Sequence, residues 1–482
     1  MDPEYLPPAV KPRVPDGAPL DTTPRQVAGV RAAFDALRVR PERLGSWDMD
    51  RFPHPAYLSQ NTAGGDTRTH FQGIQRLSNH PLLVVSGADF RNSVSHLFLV
   101  ECRPRSAWGP LGSNLWTDRR SPPSHDRLRR IIGIDRERWH GGGISVLGDV
   151  VAIPIMGRGL AQIVFLDLST PAAPRWAKEH TVITCLSESA GAVALTRGPN
   201  GQLLCAVWSD HEANGWLDFY ASSTAVAAGT HTPFEPAWAY LGRWSYSRPT
   251  DKMPKGPRYQ GVSFVWEAGS GKLFLIGTRS GLIAPAVESE DWADLYQVAP
   301  PAGMAAGGAA ATTVPTPVYV TSRRVRGADE FCSFAAGGGA FVSDTGVLSL
   351  YGGFHFRGDG LFRMSEFWSH VSPVATWWVD LYERSDFMGD RLGIFDPGEG
   401  RIEEYRARFA QGAAFDDTVH SARFRLPAGA RYRLFADPRC PPNAPANKVL
   451  DLVGTGQLVE IPRLDAVNPA FGSRVRSSAT VQ

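Results

Sequence analysis

Lysine is almost missing from this sequence: six of its 50 basic residues are lysines, and the other 44 are arginines spread along the chain. Against 48 acidic residues they leave a net charge of +2, so the composition carries no broad attraction for nucleic acid or for an anionic membrane surface. Long apolar runs are missing too. The longest, such as Val150 to Met156 interrupted by Pro154, fall well short of the roughly 18 residues a membrane helix needs. The first 20 residues lack a basic start followed by an apolar stretch, and no Asn-x-Ser/Thr sequon occurs, so the reading expects a cytoplasmic protein with neither nucleic acid nor membrane as partner. Cysteine is scarce. Cys102, Cys185, Cys205, Cys332 and Cys440 are odd in number, lie at least 20 residues apart and form no Cys-x-x-Cys pair, which excludes a disulfide framework and a thiolate zinc site and leaves buried small hydrophobes.

Glycine and proline are plentiful, 49 and 38, which is turn punctuation that helix bundles do not carry. Seven prolines in the first 24 residues make an extended arm. One helix is expected after it, with Thr23 as cap, Pro24 at the first position, Gln26 completing a capping box, and Val27, Val30, Phe34 and Leu37 at helical spacing. From Phe71 to about Trp368 the apolar segments are four to eight residues long, alternate, and are bounded by Gly, Asn or Asp, which predicts strands throughout.

Five of these segments share one grammar: a polar residue, a short gap, a small residue, an alternating strand, a tight turn and a second, more apolar strand. Taking Gly73, Gly143, Gly191, Gly261 and Ser333 as anchors, the steps are 70, 48, 70 and 72 residues, each long enough for a four-stranded blade. The pattern predicts a five-bladed β-propeller, with six blades as the alternative because the fifth repeat is degenerate. Glycine at the start of an innermost strand has a physical reason, since backbones converge there around a narrow axis. Residues 1–60 are read as arm, helix and ring-closing segment, with a closing strand expected between about 42 and 66, and residues 61–375 as the propeller. The Ala-, Gly- and Pro-rich stretch from Ala299 to Thr313 is read as a mobile loop.

The character of the chain changes near Trp377. Tyr382-Glu383-Arg384-Ser385-Asp386-Phe387-Met388-Gly389 matches the Tyr-x-x-x-x-Phe-x-Gly signature of βγ-crystallin Greek-key motifs, and Phe415 to Ser421 follows as a later strand. A second, degenerate copy begins at Arg431-Tyr432-Arg433-Leu434-Phe435, with Cys440 and Pro442 at the Phe and Gly positions. Residues 376–482 therefore resemble a βγ-crystallin-like domain. Calcium-binding members of that family place a hydroxyl at the fifth position of an Asn/Asp-Asn/Asp-x-x-Ser/Thr-Ser motif. Here His420 and Arg476 stand there, so Asp416-Asp417 is not expected to hold calcium and the domain is read as a structural or interaction cap.

The repeat alignment sets one residue per blade at one height, three positions before each anchor: His70, His140, Glu188, Arg258 and Glu330, all ionisable. Strand-leading residues of a propeller surround the mouth of its axis, where ligands bind. Glu188 and Glu330 are read as an acid/base pair, Arg258 as the cation that tunes one of them, and His70 and His140 as substrate contacts; Gln72, Tyr259 and Gln260 are the expected ligand-binding neighbours. No organic cofactor is predicted. A zinc or iron ion held by His70, His140 and one of the glutamates is the alternative role for the ring. The expected activity is cofactor-independent acid/base chemistry, such as glycoside cleavage, elimination or cyclisation, on a glycan or small molecule. The competing reading is a noncatalytic glycan- or protein-binding module. Five-bladed propeller glycosidases also set carboxylates around the axis, and this chain resembles them in architecture alone. Gly269-Ser270-Gly271-Lys272 is a hairpin turn, because a phosphate loop needs Gly at 266 and a hydroxyl at 273, where Trp and Leu stand.

Overall fold

The computed structural model describes residues 4–5, 20–37, 42–44, 70–90, 92–101, 127–177, 181–211, 214–226, 234–246, 258–281, 290–304, 312–325, 333–343, 346–353 and 364–368 in its larger part. Beyond these it describes 378–382, 391–395, 401–402, 419–437, 443–456, 458–469 and 477–481, with the single positions 229, 385, 441 and 475. The chain divides into two units, residues 1–34 with 40–368, and residues 35–39 with 369–482. Both are built from strands, as the alternation requires.

Among the described residues the first unit holds five sheets. Sheet one runs His70–Arg76, Leu82–Asp89, Val94–Glu101, Arg127–Asp135, with Glu4–Tyr5 added parallel at its outer edge. Sheet two starts with a broken strand, His140–Gly141 and Ser145–Leu147, which both pair with Val150–Met156; Gln162–Asp167 follows and carries Arg175–Trp176 and Ile183–Thr184. Sheet three is Ala192–Arg197, Leu203–His211, Asn214–Ser222, Trp238–Ser245, and sheet four is Tyr259–Glu267, Leu273–Gly281, Glu290–Ala299, Thr316–Val325. Sheet five takes Ser333–Val342, Leu348–Gly353 and Met364–Trp368, and its last strand is Glu42–Leu44, antiparallel to Met364–Trp368.

The first strands of the five sheets touch one another in a closed cycle, an arrangement of propeller type. Their backbones meet at the axis. Gly143 bridges in parallel to Ala192 of sheet three, and a Cβ on it would strike the carbonyl oxygen of Gln260 in sheet four. Between the sheets the core is apolar: Leu82, Val84, Leu97 and Leu99 of sheet one meet Ile153, Ile155 and Leu166 of sheet two, all at 0–1% exposure. Each such side chain contributes about 1.5–3 kcal/mol by leaving water.

The N-terminal segment differs from its expected form. Gln26–Val27 is a strand, parallel to Trp266–Glu267, and the helix is only Val30–Asp35. The Thr23 amide donates to Asp21 Oδ1 (2.8 Å), and the helix is capped from another sheet, where Glu267 Oε2 accepts from Val30 N (2.9 Å). The helical spacing of Val27 was misleading because its burial comes from strand addition to sheet four. Before that strand the chain crosses the far end of the ring. Leu20 O accepts from Gly229 N (2.8 Å), Asp21 N donates to Asp149 Oδ2 in the first turn of sheet two (3.0 Å), and Arg25 Nη2 donates to Ser78 O in the first turn of sheet one (2.9 Å).

The stretch expected to be a mobile loop is pinned at both described ends. Asn200 Nδ2 donates to Gly303 O (2.8 Å), Met304 is 1% exposed, and Ala302 N donates to Thr313 Oγ1 (2.7 Å); residues 305–311 lie outside the described residues.

The second unit holds two four-stranded sheets. One has the order Arg391–Phe395, Trp378–Tyr382, Ser421–Arg425, Leu458–Ile461; the other has Arg401–Ile402, Ser477–Val481, Arg431–Phe435, Val449–Val453. Val379, Leu381 and Phe424 from the first share one core with Tyr432, Leu434 and Leu452 from the second. Phe387, Gly389, Asp416, Asp417 and Arg476 lie outside the described residues; His420 is exposed and its amide donates to Tyr382 O (2.9 Å).

Candidate site at the mouth of the ring

Two histidines lead the first strands of neighbouring sheets at the same end of the ring. His70 opens sheet one and is buried; His140 opens sheet two, pairs with Met156 and is partly buried. Their rings lie 5.3 Å apart at an interplanar angle of 62°. Just past His70 the strand register jumps from Phe71 to Ile74, so Gln72 and Gly73 stand outside the ladder. A bulge of this kind re-aims a side chain. Gln72 Nε2 sits 2.5 Å from His70 Nε2 and 3.5 Å from His140 Nε2. Gln72 is 5% exposed, and its Oε1 is buried with no hydrogen-bond partner among the described residues.

The floor beneath this cluster ties the sheets together. Gly73 N donates to Ser86 Oγ (2.7 Å), Ser86 Oγ donates to Gly142 O (2.6 Å), and Gly143 N donates to Gly191 O (2.8 Å). Burial, followed by the neighbouring His70, pushes the His140 imidazole down to about 3. It is neutral at physiological pH. With His140 neutral and an amide beside it on a rigid frame, the cluster offers hydrogen-bond donors and acceptors suited to a hydroxyl-bearing ligand.

Aromatic and apolar groups flank it. Trp139 stands edge-on to His140 (5.4 Å between centroids) and Phe90 edge-on to Trp139 (4.8 Å). Leu160, whose carbonyl accepts from Arg138 Nε (3.0 Å), and Leu186 are 46% and 59% exposed on turns beside it. Sequence reasoning missed this flank, although Trp139 directly before the ring residue His140 was a readable signal.

The remaining expected residues divide. Glu188 is exposed on the bend leading to sheet three, and Arg258 is exposed directly before sheet four. Glu330 and Cys332 lie outside the described residues. Gln260 is partly buried and, like Gln72, is skipped by the register, which runs from Tyr259 to Gly261. Tyr259 points elsewhere: it is 3% exposed, its hydroxyl donates to Asp294 Oδ2 (2.8 Å) and lies 2.7 Å from Tyr296 OH, and Arg279 Nε closes the network on Asp294 (2.7 Å). Burial and then Asp294 hold that phenol well above its ordinary pKa, so it is a core hydroxyl of sheet four. Among the described residues no group of three or more His, Cys, Asp or Glu is arranged to hold a metal ion.

No protein-family model matches this sequence, and no curated protein does. Among solved structures, the chain is similar to the GH32 beta-fructofuranosidase of Bombyx mori in complex with sucrose, at 11% identity and a TM-score of 0.34, covering 89% of this chain and 91% of that one. It is similar to the exo-beta-1,3-galactanase of Phanerochaete chrysosporium with beta-1,3-galactotriose, at 10% identity and a TM-score of 0.34, covering 91% and 95%. A polysaccharide lyase structure aligns at 9% identity and a TM-score of 0.23, covering 74% and 99%. These likenesses are loose, and the chemistry of the mouth rests on this chain's own side chains.

Proposed function

We propose that the chain is a glycan-processing enzyme whose site lies at the mouth of a five-bladed propeller, followed by a βγ-crystallin-like cap from about residue 376. The observation that carries the reading is the convergence of His70, Gln72 and His140 from two sheets onto one polar point. Such a point grips a sugar hydroxyl and leaves charge changes to carboxylates at the rim. In this reading Glu188 and Glu330 are the acid and base, Arg258 holds one of them ionised or holds a substrate oxygen, and Gln260 is a second contact. The blade count is supported by the five sheets of the first unit. The crystallin-like reading is supported by the second unit's strand order, in which each half gives three strands to one sheet and exchanges one with the other.

The test uses Glu188→Gln and Glu330→Gln with a panel of nitrophenyl glycosides and oligosaccharides. Loss of a general acid or base slows turnover by roughly 10² to 10⁴. Glu188 is exposed, so its variant should melt within about 1 kcal/mol of the wild type. Undiminished turnover in both variants would remove the acid/base assignment. A second reading, a noncatalytic glycan-binding module, is favoured by the exposure of Glu188 and Arg258. Under it, ligand affinity would depend on Gln72 and His140 while no substrate in the panel is turned over.

A further inference from the structure

We propose that His70 Nε2, His140 Nε2 and the side-chain amide of Gln72 form a binding site for a borderline divalent transition ion of the zinc class. The inference goes beyond the proposed reaction and does not depend on it.

Two imidazole Nε2 atoms from adjacent sheets face the same amide group, at 2.5 Å and 3.5 Å. His70 and Gln72 stand on either side of the start of the bulge, so both present a polar atom to one point. Turning the amide about its terminal bond exchanges its oxygen and nitrogen, and which way such a group points follows from its partners. In the turned orientation Gln72 Oε1 faces both imidazoles. That gives two nitrogen donors and one oxygen donor around one point, a set that suits zinc, nickel or copper and not calcium or magnesium, which take oxygen ligands. Turned toward the imidazoles, Gln72 Oε1, which otherwise is buried in a residue of 5% exposure with no partner among the described residues, becomes a ligand of the ion.

The frame is rigid enough to hold such a set. His70 and Gln72 flank the start of a bulge, and His140 precedes three glycines, of which Gly142 has its carbonyl fixed by Ser86. Three protein donors leave a coordination position open, the pattern of zinc sites that also take a water or a substrate oxygen. An amide is a weaker donor than a carboxylate, and this sets a direction: replacing Gln72 by Glu should tighten the site.

The experiment is isothermal titration of the full chain, freed of any affinity tag and stripped with chelator, with zinc chloride, nickel chloride and calcium chloride. One zinc per chain is expected, with nickel binding at the same site and calcium not competing. His70→Ala and His140→Ala should each weaken zinc at least tenfold, and Gln72→Glu should strengthen it about tenfold. Zinc binding that persists unchanged in both histidine variants, or no zinc binding by the wild type, overturns the proposal. Should a histidine variant fail to fold, the gain in Gln72→Glu decides: no gain over the wild type counts against it. Zinc binding by a protein inactive on every glycan would leave this inference standing and remove only the proposed reaction.

Discussion

Gly337 shows how little room the axis leaves. Its φ of +99° lies in the region that favours glycine, and a Cβ there would run into the Gln72 carbonyl of sheet one. Gly337→Ala combines left-handed strain with a backbone collision, each worth about 1–3 kcal/mol, so a destabilisation of about 3 kcal/mol or more is expected in urea melts. A cost under 1 kcal/mol would mean that the inner strands are not packed backbone to backbone. The same convergence explains why glycine was a legible marker in the sequence, and why His70 and His140, three positions before two of the anchors, come together. Tyr259 was not legible by that route. It occupies the place in its strand that Phe71 occupies in sheet one, and both are buried aromatics of the core. Strict alternation would have separated it from Gln260, since neighbours on a strand point to opposite faces. Glu188 gave no sequence sign of its exposure, because charge and spacing are the same for a buried acid and a solvated one.

At the scale of elements, the segment from Leu20 to Val27 is held by an acid pair. Asn79 Nδ2 donates to Asp21 Oδ2 and to Asp149 Oδ1, both at 3.0 Å, and Asp149 N donates to Asp21 O (2.9 Å). Around Asp149 stand Asp21, Asp167, Arg25 and His80, whose Nε2 is 3.9 Å away and whose pKa burial lowers. Burial raises Asp149 to about 6, while Asp21 is lowered by its bonds to Asn79 and Thr23 against the opposing effect of its own burial. A carboxyl raised on folding stabilises below its unfolded value near 3.8, and that contribution is lost as pH rises through about 6. For Asp149 it is of the order of 3 kcal/mol. Asp21 works the other way and loses its contribution as pH falls below about 4. The two contributions overlap best near pH 4, and that of Asp149 declines from there until it is gone above about pH 6. Protection at residues 20–27, with exchange referred to the intrinsic rate at each pH, should rise on going from pH 7.5 to 5.5, and Asp149→Asn should flatten that dependence. Equal protection at both pH values in the wild type would refute it. None of this was visible beforehand, because the capping box at Thr23 is a local signal and the partners that override it, Asp149, Asn79 and Glu267, are 58 to 237 residues from the groups they bind.

At the scale of the molecule, the strand-rich propeller-type ring was readable because its pattern of short alternating segments and turns recurs along the chain. The ends of the repeats were harder: the last strand of sheet five comes from residues 42–44, before the first repeat, and only the need to cover an open edge suggested it. The second unit sets a last test. Its fifth motif positions are His420, exposed at the start of a strand, and Arg476, where calcium would require a neutral or anionic oxygen. A ligand that binds only the folded state stabilises by RT ln(1 + [L]/Kd), so millimolar calcium on a micromolar site would add about 4 kcal/mol. The expected result is a melting curve of the full chain that is the same in millimolar calcium and in chelator, while zinc at a comparable excess shifts the transition upward through the His70 and His140 cluster. An upward shift in calcium would restore Asp416 and Asp417 as ligands. A shift with both ions would separate on His140→Ala, which should abolish the response to zinc and leave any response to calcium intact.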